Sequence, residues 1–346
     1  MKTKRTGWTA EKLNIYITLL SWLILGSLAA DVMWRTAMHK TIIIEETESR
    51  PDGMMDTAAT EGQPLLLRKE QREHNRLCIP LEKGITPENV MLENHYLDKE
   101  LWVILQGAES AYYQEHEIYG DIDSVSEGRL RDQEKAVALV LKTDRVYEYR
   151  SVMENELLTI TYAAPGEMYR QVIVVEPMGD TEAQQEITGR VAGLMQDGLE
   201  QQNTKLYVAE SAGREKDSQT GLMLVQQTGA DLYIGLCISS DEDTERYGIQ
   251  SYYNDEYFIP GFGNVELADT LTRNVTIAAR NRAVGLIPLS EDEALGQLSI
   301  PAAKLSLGFA SNAVENKLLQ QEEYQEKLAQ GIVEAIKEVY TVRYEE

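Results

Sequence analysis

Histidine is scarce in this 346-residue chain, and its placement bears directly on chemistry. His39, His74, His95 and His116 all precede residue 171, so the second half of the chain holds no imidazole with which to build a metal centre. Cysteine is scarcer still. Cys78 and Cys237 are too few for a disulfide framework and have the wrong spacing for a metal knuckle, although a single bridge between them stays open. Positive charge is also in short supply, with 33 Lys and Arg against 57 Asp and Glu, a net charge of −24. That balance excludes nucleic acid as a partner, because phosphates are held by basic patches. Beyond the extreme N-terminus there is no basic footprint for an anionic membrane surface. A phosphate-cradling loop is missing too, since Gly261-Phe262-Gly263 has neither the following lysine nor the glycine pattern.

What is present divides the chain. Apolar residues make up 43%, enough for about two folded domains. Leu13 to Ala30 is mostly apolar and uncharged, about 27 Å long as a helix and just able to span hydrocarbon. Lys2, Lys4, Arg5 and Lys12 precede it and Glu45, Glu46 and Glu48 follow, so the rest of the chain is expected to face outward. Residues 1–12 read as a cytoplasmic tail and 13–34 as a transmembrane anchor closed by Trp34. The competing reading is a signal peptide cleaved near Ser27-Leu28-Ala29, giving a secreted protein. Residues 35–78, mixed in charge and broken by Pro51 and Gly53, read as a stalk. From 79 to 165 short runs rich in β-formers, such as Ala136–Leu141 and Leu157–Tyr162, predict a small all-β domain, a sandwich.

After Tyr169 the pattern becomes strand then helix. Gln171–Val175, Lys205–Ala209, Ala230–Ser239 and Lys304–Phe309 read as buried strands. Glu182–Gln202 reads as a helix with Ile187, Val191, Met195 and Leu199 on one face. Ser218–Thr228, Val265–Ala279 and Glu322–Tyr340 are helical in pattern, and Tyr247–Asn254 is strand-like. Residues 166–346 are therefore expected to form an α/β domain, a mostly parallel sheet covered by helices on both faces. Ligands of open α/β sheets sit at the carboxyl ends of the strands, which here carry Glu176, Cys237 and Ser306. Asn312 with Glu315 three residues on reads as a capping-box-like start for the last helix.

The runs VIVVEPMGD, GADLYIGLCISS, GIQSYYN, PAAKLSLGFASN and EEYQEKLAQGIVEAI, in that order, resemble the zinc-dependent N-acetylmuramoyl-L-alanine amidases of the Amidase_3 family. Residues 79–165 are similar to the AMIN domains that often precede them. The resemblance implies peptidoglycan as partner and hydrolysis of the muramoyl-L-alanine amide bond as the ancestral chemistry. It also implies where that chemistry is lost. At the family's ligand positions stand Gly179, Gln184 and Cys237, with Glu186 two residues out of register, and the general-base glutamate is replaced by Ser306.

Two cheaper chemistries are open to the residues themselves. Glu176 and Asp180 could act as a carboxylate pair, and Ser306 as a nucleophile would want Lys304 as its base. No cofactor is expected, and zinc enters only if Cys237 and a carboxylate from Glu176, Asp180 or Glu186 serve as relocated ligands. The expectation is thus a membrane-anchored, extracytoplasmic, catalytically inactive amidase-like protein. It would bind peptidoglycan or regulate a cell-wall hydrolase or division protein, an active amidase with relocated ligands being the alternative.

Overall fold

The computed structural model describes residues 42–44, 46–48, 62–70, 74–199, 203–209, 219–256, 258–290 and 292–344. The tail at 1–12 and the expected anchor at 13–34 lie outside the described residues. Among the described residues no helix is long and apolar enough to cross a membrane.

The first half is mostly strand. In order these are β1 (Ile42–Ile44), β2 (Glu46–Glu48), β3 (Gln63–Pro64), β4 (Leu67–Lys69), β5 (Arg76–Pro80), β6 (Val90–His95), β7 (Glu100–Gln106), β8 (Ile118–Gly120), β9 (Val125–Gln133), β10 (Ala136–Thr143), β11 (Glu148–Glu154) and β12 (Leu157–Ala163). A short helix, α1 (Ser110–Glu115), lies between β7 and β8. The strands form two sheets, ordered β1-β11-β12-β5-β8-β4 and β2-β6-β7-β10-β9-β3. The period-two alternation of β7 and β10 turns Leu101, Val103, Leu105, Val137, Leu139 and Leu141 into one core shared with Ile79, Leu158 and Ile160 of the other sheet. The stretch read as a stalk, 35–78, contributes five of these strands, because Ile42–Ile44 and Arg76–Pro80 carry β-formers that pair with β11 and β12.

The second half is a third sheet of β13 (Gln171–Pro177), β14 (Thr204–Val208), β15 (Leu232–Ser239), β16 (Ile249–Tyr253), β17 (Ala283–Pro288) and β18 (Ala302–Phe309), in the order β14-β13-β15-β18-β16-β17. Every pairing is parallel except that of β16 with β18. The edge strand β17 went unread in the sequence, since Ala283–Pro288 is short, half-buried and interrupted by Gly285. One face packs against α2 (Glu182–Leu199), α4 (Asn264–Ala279) and α6 (Glu322–Tyr344). Ile187, Val191, Met195 and Leu199 of α2 are buried as their spacing predicts, and Leu328, Ile332 and Ile336 of α6 join them. The other face is covered by α3 (Thr220–Thr228), by Leu295 and Leu298, and by Tyr96 and Val146 of the β-rich half.

The two halves meet at β14. The Tyr96 hydroxyl donates to the Val208 carbonyl at 3.0 Å and accepts the Val208 N–H at 3.2 Å, occupying an edge where another strand would pair. Glu148 at the start of β11 is 1% exposed. It lies 2.9 Å from Lys205 Nζ, accepts the Tyr207 hydroxyl, and is reached by the Asn94 amide and the Tyr169 hydroxyl, each at 3.4 Å. A charge so far from water is tolerable only with such partners.

Candidate functional site

The β13 and β18 face that begins with Val172, Val174 and Ala302 turns polar toward the carboxyl ends of the strands. The register sets Glu176 beside Gly235, Gly235 beside Lys304 and Cys237 beside Ser306, with Gln250 opposite Ser306 across the antiparallel pair. Glu176, Cys237 and Ser306 therefore share one sheet edge.

Their partners decide what they can do. Ser306 is 0% exposed. Its hydroxyl donates to the Gly308 carbonyl at 3.0 Å and accepts the Ser239 N–H at 3.2 Å. Lys304 does not serve it as a base: its ammonium pairs with Asp292. Asp292 also caps the helical turn Glu293–Gly296, accepting the Ala294 and Leu295 N–H groups at 3.0 Å each. Burial opposes its charge, but Lys304 and these backbone donors hold its carboxyl below the usual range.

Glu176 and Asp180 do not form a carboxylate pair. Glu176 accepts the Tyr233 hydroxyl and nests against α3, where a Cβ on Gly221 would fall 2.2 Å from its Oε2. Burial raises its pKa, while the Tyr233 hydroxyl and Lys304 pull it back and Asp292 adds to the rise. Asp180 is exposed, and its N–H donates to Gln184 Oε1 at 2.8 Å, so the Gln184 amide is committed to the turn before α2. Glu186 is exposed on α2 and does not join the cluster, because it lies one position before Ile187, which faces the core. Gly179 lies hard on α2: a Cβ there would stand 2.6 Å from the Gln185 nitrogen and 2.8 Å from Gln184 Cβ.

The Cys237 thiol is pushed up to about 12 by burial, with Lys304 opposing the rise and Asp180 adding to it. Cys78 and Cys237 are not joined in a disulfide. Met178 fills the space over the sheet, since a Cβ on Gly235 would meet its Cε at 2.9 Å and Lys304 Cγ at 3.0 Å.

These residues do not fit a zinc ion. Catalytic zinc takes about three anionic or imidazole ligands and an open position. Here the donors are a glycine without a side chain, an amide used in a turn and a protonated thiol. Among the described residues no three His, Cys, Asp or Glu side chains stand together as a metal group.

Sequence reasoning missed Asp292 and Tyr233 as the partners of Lys304 and Glu176, and missed a polar string beside Ser306. Arg246 bonds Asp241 at 2.7 Å and Gln250 Oε1 at 3.3 Å; Gln250 Nε2 donates to Ser239 Oγ at 3.1 Å, which lies 2.9 Å from the Tyr252 hydroxyl. The one local signal was Asp292 ahead of Glu293-Ala294-Leu295, a helix-cap pattern. Glu176 and Tyr233 are 57 residues apart, whereas the string beside Ser306 joins residues four to 13 apart that follow no strand or helix period.

The class defined by these features is an α/β domain with a mostly parallel sheet and a cluster of polar side chains at the carboxyl ends of its strands. Residues 176–338 match the N-acetylmuramoyl-L-alanine amidase family. The germination-specific N-acetylmuramoyl-L-alanine amidase of Bacillus subtilis (strain 168) is 27% identical over 144 residues, which is 41% of this chain. The chain spans 57% of the length of that relative. Among solved structures, the catalytic domain of CwlV, an N-acetylmuramoyl-L-alanine amidase from Bacillus (Paenibacillus) polymyxa var. colistinus, is 17% identical with a TM-score of 0.45, covering 50% of this chain and 99% of that one. The CwlD amidase from Clostridioides difficile, solved in complex with the GerS lipoprotein, is 18% identical with a TM-score of 0.42, covering 50% and 99%.

Proposed function

We propose that this protein is a non-hydrolytic member of the amidase family, acting on the cell wall by binding peptidoglycan or by regulating a wall hydrolase or division protein. The observation that carries the reading is the state of the site: Gly179, Gln184, Cys237 and Ser306 are each committed to packing or to hydrogen bonds within the protein. Without a metal to acidify it, water keeps a pKa of about 15.7 rather than about 7, and a hydroxyl such as that of Ser306 is a very poor general base. Amide hydrolysis by the family route then has neither nucleophile nor proton acceptor.

Purified full-length protein incubated with peptidoglycan should release no stem peptide and should carry zinc well below one ion per chain. Release of peptide that a chelator abolishes would establish an active amidase with relocated ligands instead. Sedimentation with purified cell wall separates glycan binding from action through a protein partner alone.

The reading extends to location. The apolar run Leu13–Ala30, preceded by lysines and arginine and followed by glutamates, supports an anchored, extracytoplasmic protein. Protease added to intact spheroplasts should remove the folded halves and leave a membrane-bound N-terminal fragment. Protein recovered in the medium with a shortened N-terminus would show signal cleavage.

A further inference from the structure

At the sheet edge farthest from the β-rich half, β17 pairs only with β16 among the described residues. The Leu289 N–H donates to the Tyr253 carbonyl at 2.8 Å. Alternation along a parallel strand turns Ile287 the same way and leaves the N–H and carbonyl of Leu286 facing away from the sheet. Exposed edges are ordinarily blunted by charge, especially lysine. This one reads Ala-Val-Gly-Leu-Ile-Pro and carries no charge; Pro288 has no N–H to donate and the register shifts near Gly285, so the main chain open to a partner centres on Leu286.

Beside the edge is a matching recess. The Leu286 side chain packs toward the helical layer and, with Phe262, Val265 and Val342, lines an open cleft of about 520 Å³. Val265 is 40% exposed and Val342 44%, and Phe258, in the loop that leads to Phe262, is 85% exposed. The charged side chains at the cleft are Glu266 and Asp269, both acidic, and Asp269 has only a loose ion pair with Arg273 at 3.8 Å.

We propose that β17 and this cleft form a docking surface for an extended, apolar and basic segment of a partner protein. The segment adds to β17 through main-chain hydrogen bonds, seats one apolar side chain among Phe262, Val265, Leu286 and Val342, and sets lysine or arginine against Glu266 and Asp269. Charge complementarity selects this occupant over a second copy of the chain. Two β17 edges facing each other would bring two acidic rims together in a protein of net charge −24. Leu305 and Leu307 lie in the helix-side cluster with Leu286, so the surface is across the sheet from Ser306 and stands whether or not the wall chemistry is lost.

The test is fluorescence anisotropy of a labelled peptide of alternating valine and lysine, titrated with the full-length chain at physiological salt. Two controls accompany it: the same peptide N-methylated on the edge that would pair, and a valine and glutamate version. Binding to the valine and lysine peptide about tenfold tighter than to either control, lost in Leu286→Lys, is the expected result. Val265→Lys, at an exposed position, gives the same loss should Leu286→Lys fail to fold. No binding, or equal binding of the N-methylated peptide, overturns strand addition. A dimer in sedimentation velocity that Val265→Lys dissociates overturns the choice of occupant.

Discussion

At the scale of single residues, the strand-end site is held together by groups that the sequence presents as vacancies. Ser306 bonds both Gly308 and Ser239, so Ser306→Ala should lower stability by about 1–2 kcal/mol in urea unfolding, leaving the half-buried Ser239 N–H without this acceptor. Ser306→Glu should cost more and restore no amidase activity. Gly179→Ala meets the α2 backbone and should destabilise by about 1–3 kcal/mol. Cys237 yields a pH prediction. A thiol of ordinary pKa 9.0, pushed up to about 12 in the folded protein, keeps its proton where the unfolded chain would release it. Its contribution to stability is therefore full below about pH 9 and is lost as pH rises toward 12. At pH 8 only about one folded thiol in ten thousand is ionised, so iodoacetamide should label Cys237 slowly in native protein and rapidly in urea.

At the scale of elements, the capping region after β18 shows how far local pattern reaches. Asn312 is a helix cap as its position predicts, accepting the Val314 and Glu315 N–H groups at 3.1 Å each, but it opens the short α5 (Ala313–Leu319) rather than the last helix, which starts at Glu322. Glu315 does not return the bond to Asn312. Its carboxylate is buried and takes the Phe309 N–H at 2.7 Å, the Gly248 N–H at 3.0 Å and the Asn281 amide at 2.8 Å, tying β18 to the entrance of β16 and to the end of α4. Glu315→Ala should therefore cost about 3 kcal/mol or more, well above a lost helix cap, measured as a shift in denaturation midpoint. The contrast explains what was legible. Helices with a clear apolar stripe, such as α2, and strands with continuous apolar runs, such as β15, appear within two or three residues of their predicted ends. The edge strand β17 and the lysine–aspartate pair at Lys304 were not, because a half-buried edge has no pattern of its own and the pair spans 12 residues of intervening chain.

At the scale of the molecule, the β-rich half and the amidase-like half share a buried ionic contact. Removing one member of a buried pair leaves the other uncompensated, which costs about 3–5 kcal/mol. Glu148→Ala should thus destabilise both halves together, and calorimetry of the unaltered protein should show one cooperative transition rather than two. Two separate transitions, with only the first moved by Glu148→Ala, would show independent halves. The hydroxyl of Tyr96 on the main chain of Val208 has a consequence for descent as well as for stability. A gene cut between residues 163 and 171 would expose an unpaired strand edge on one product and strand Glu148 on the other. Recombination at that boundary is penalised on both sides, and the two halves should be inherited as one piece.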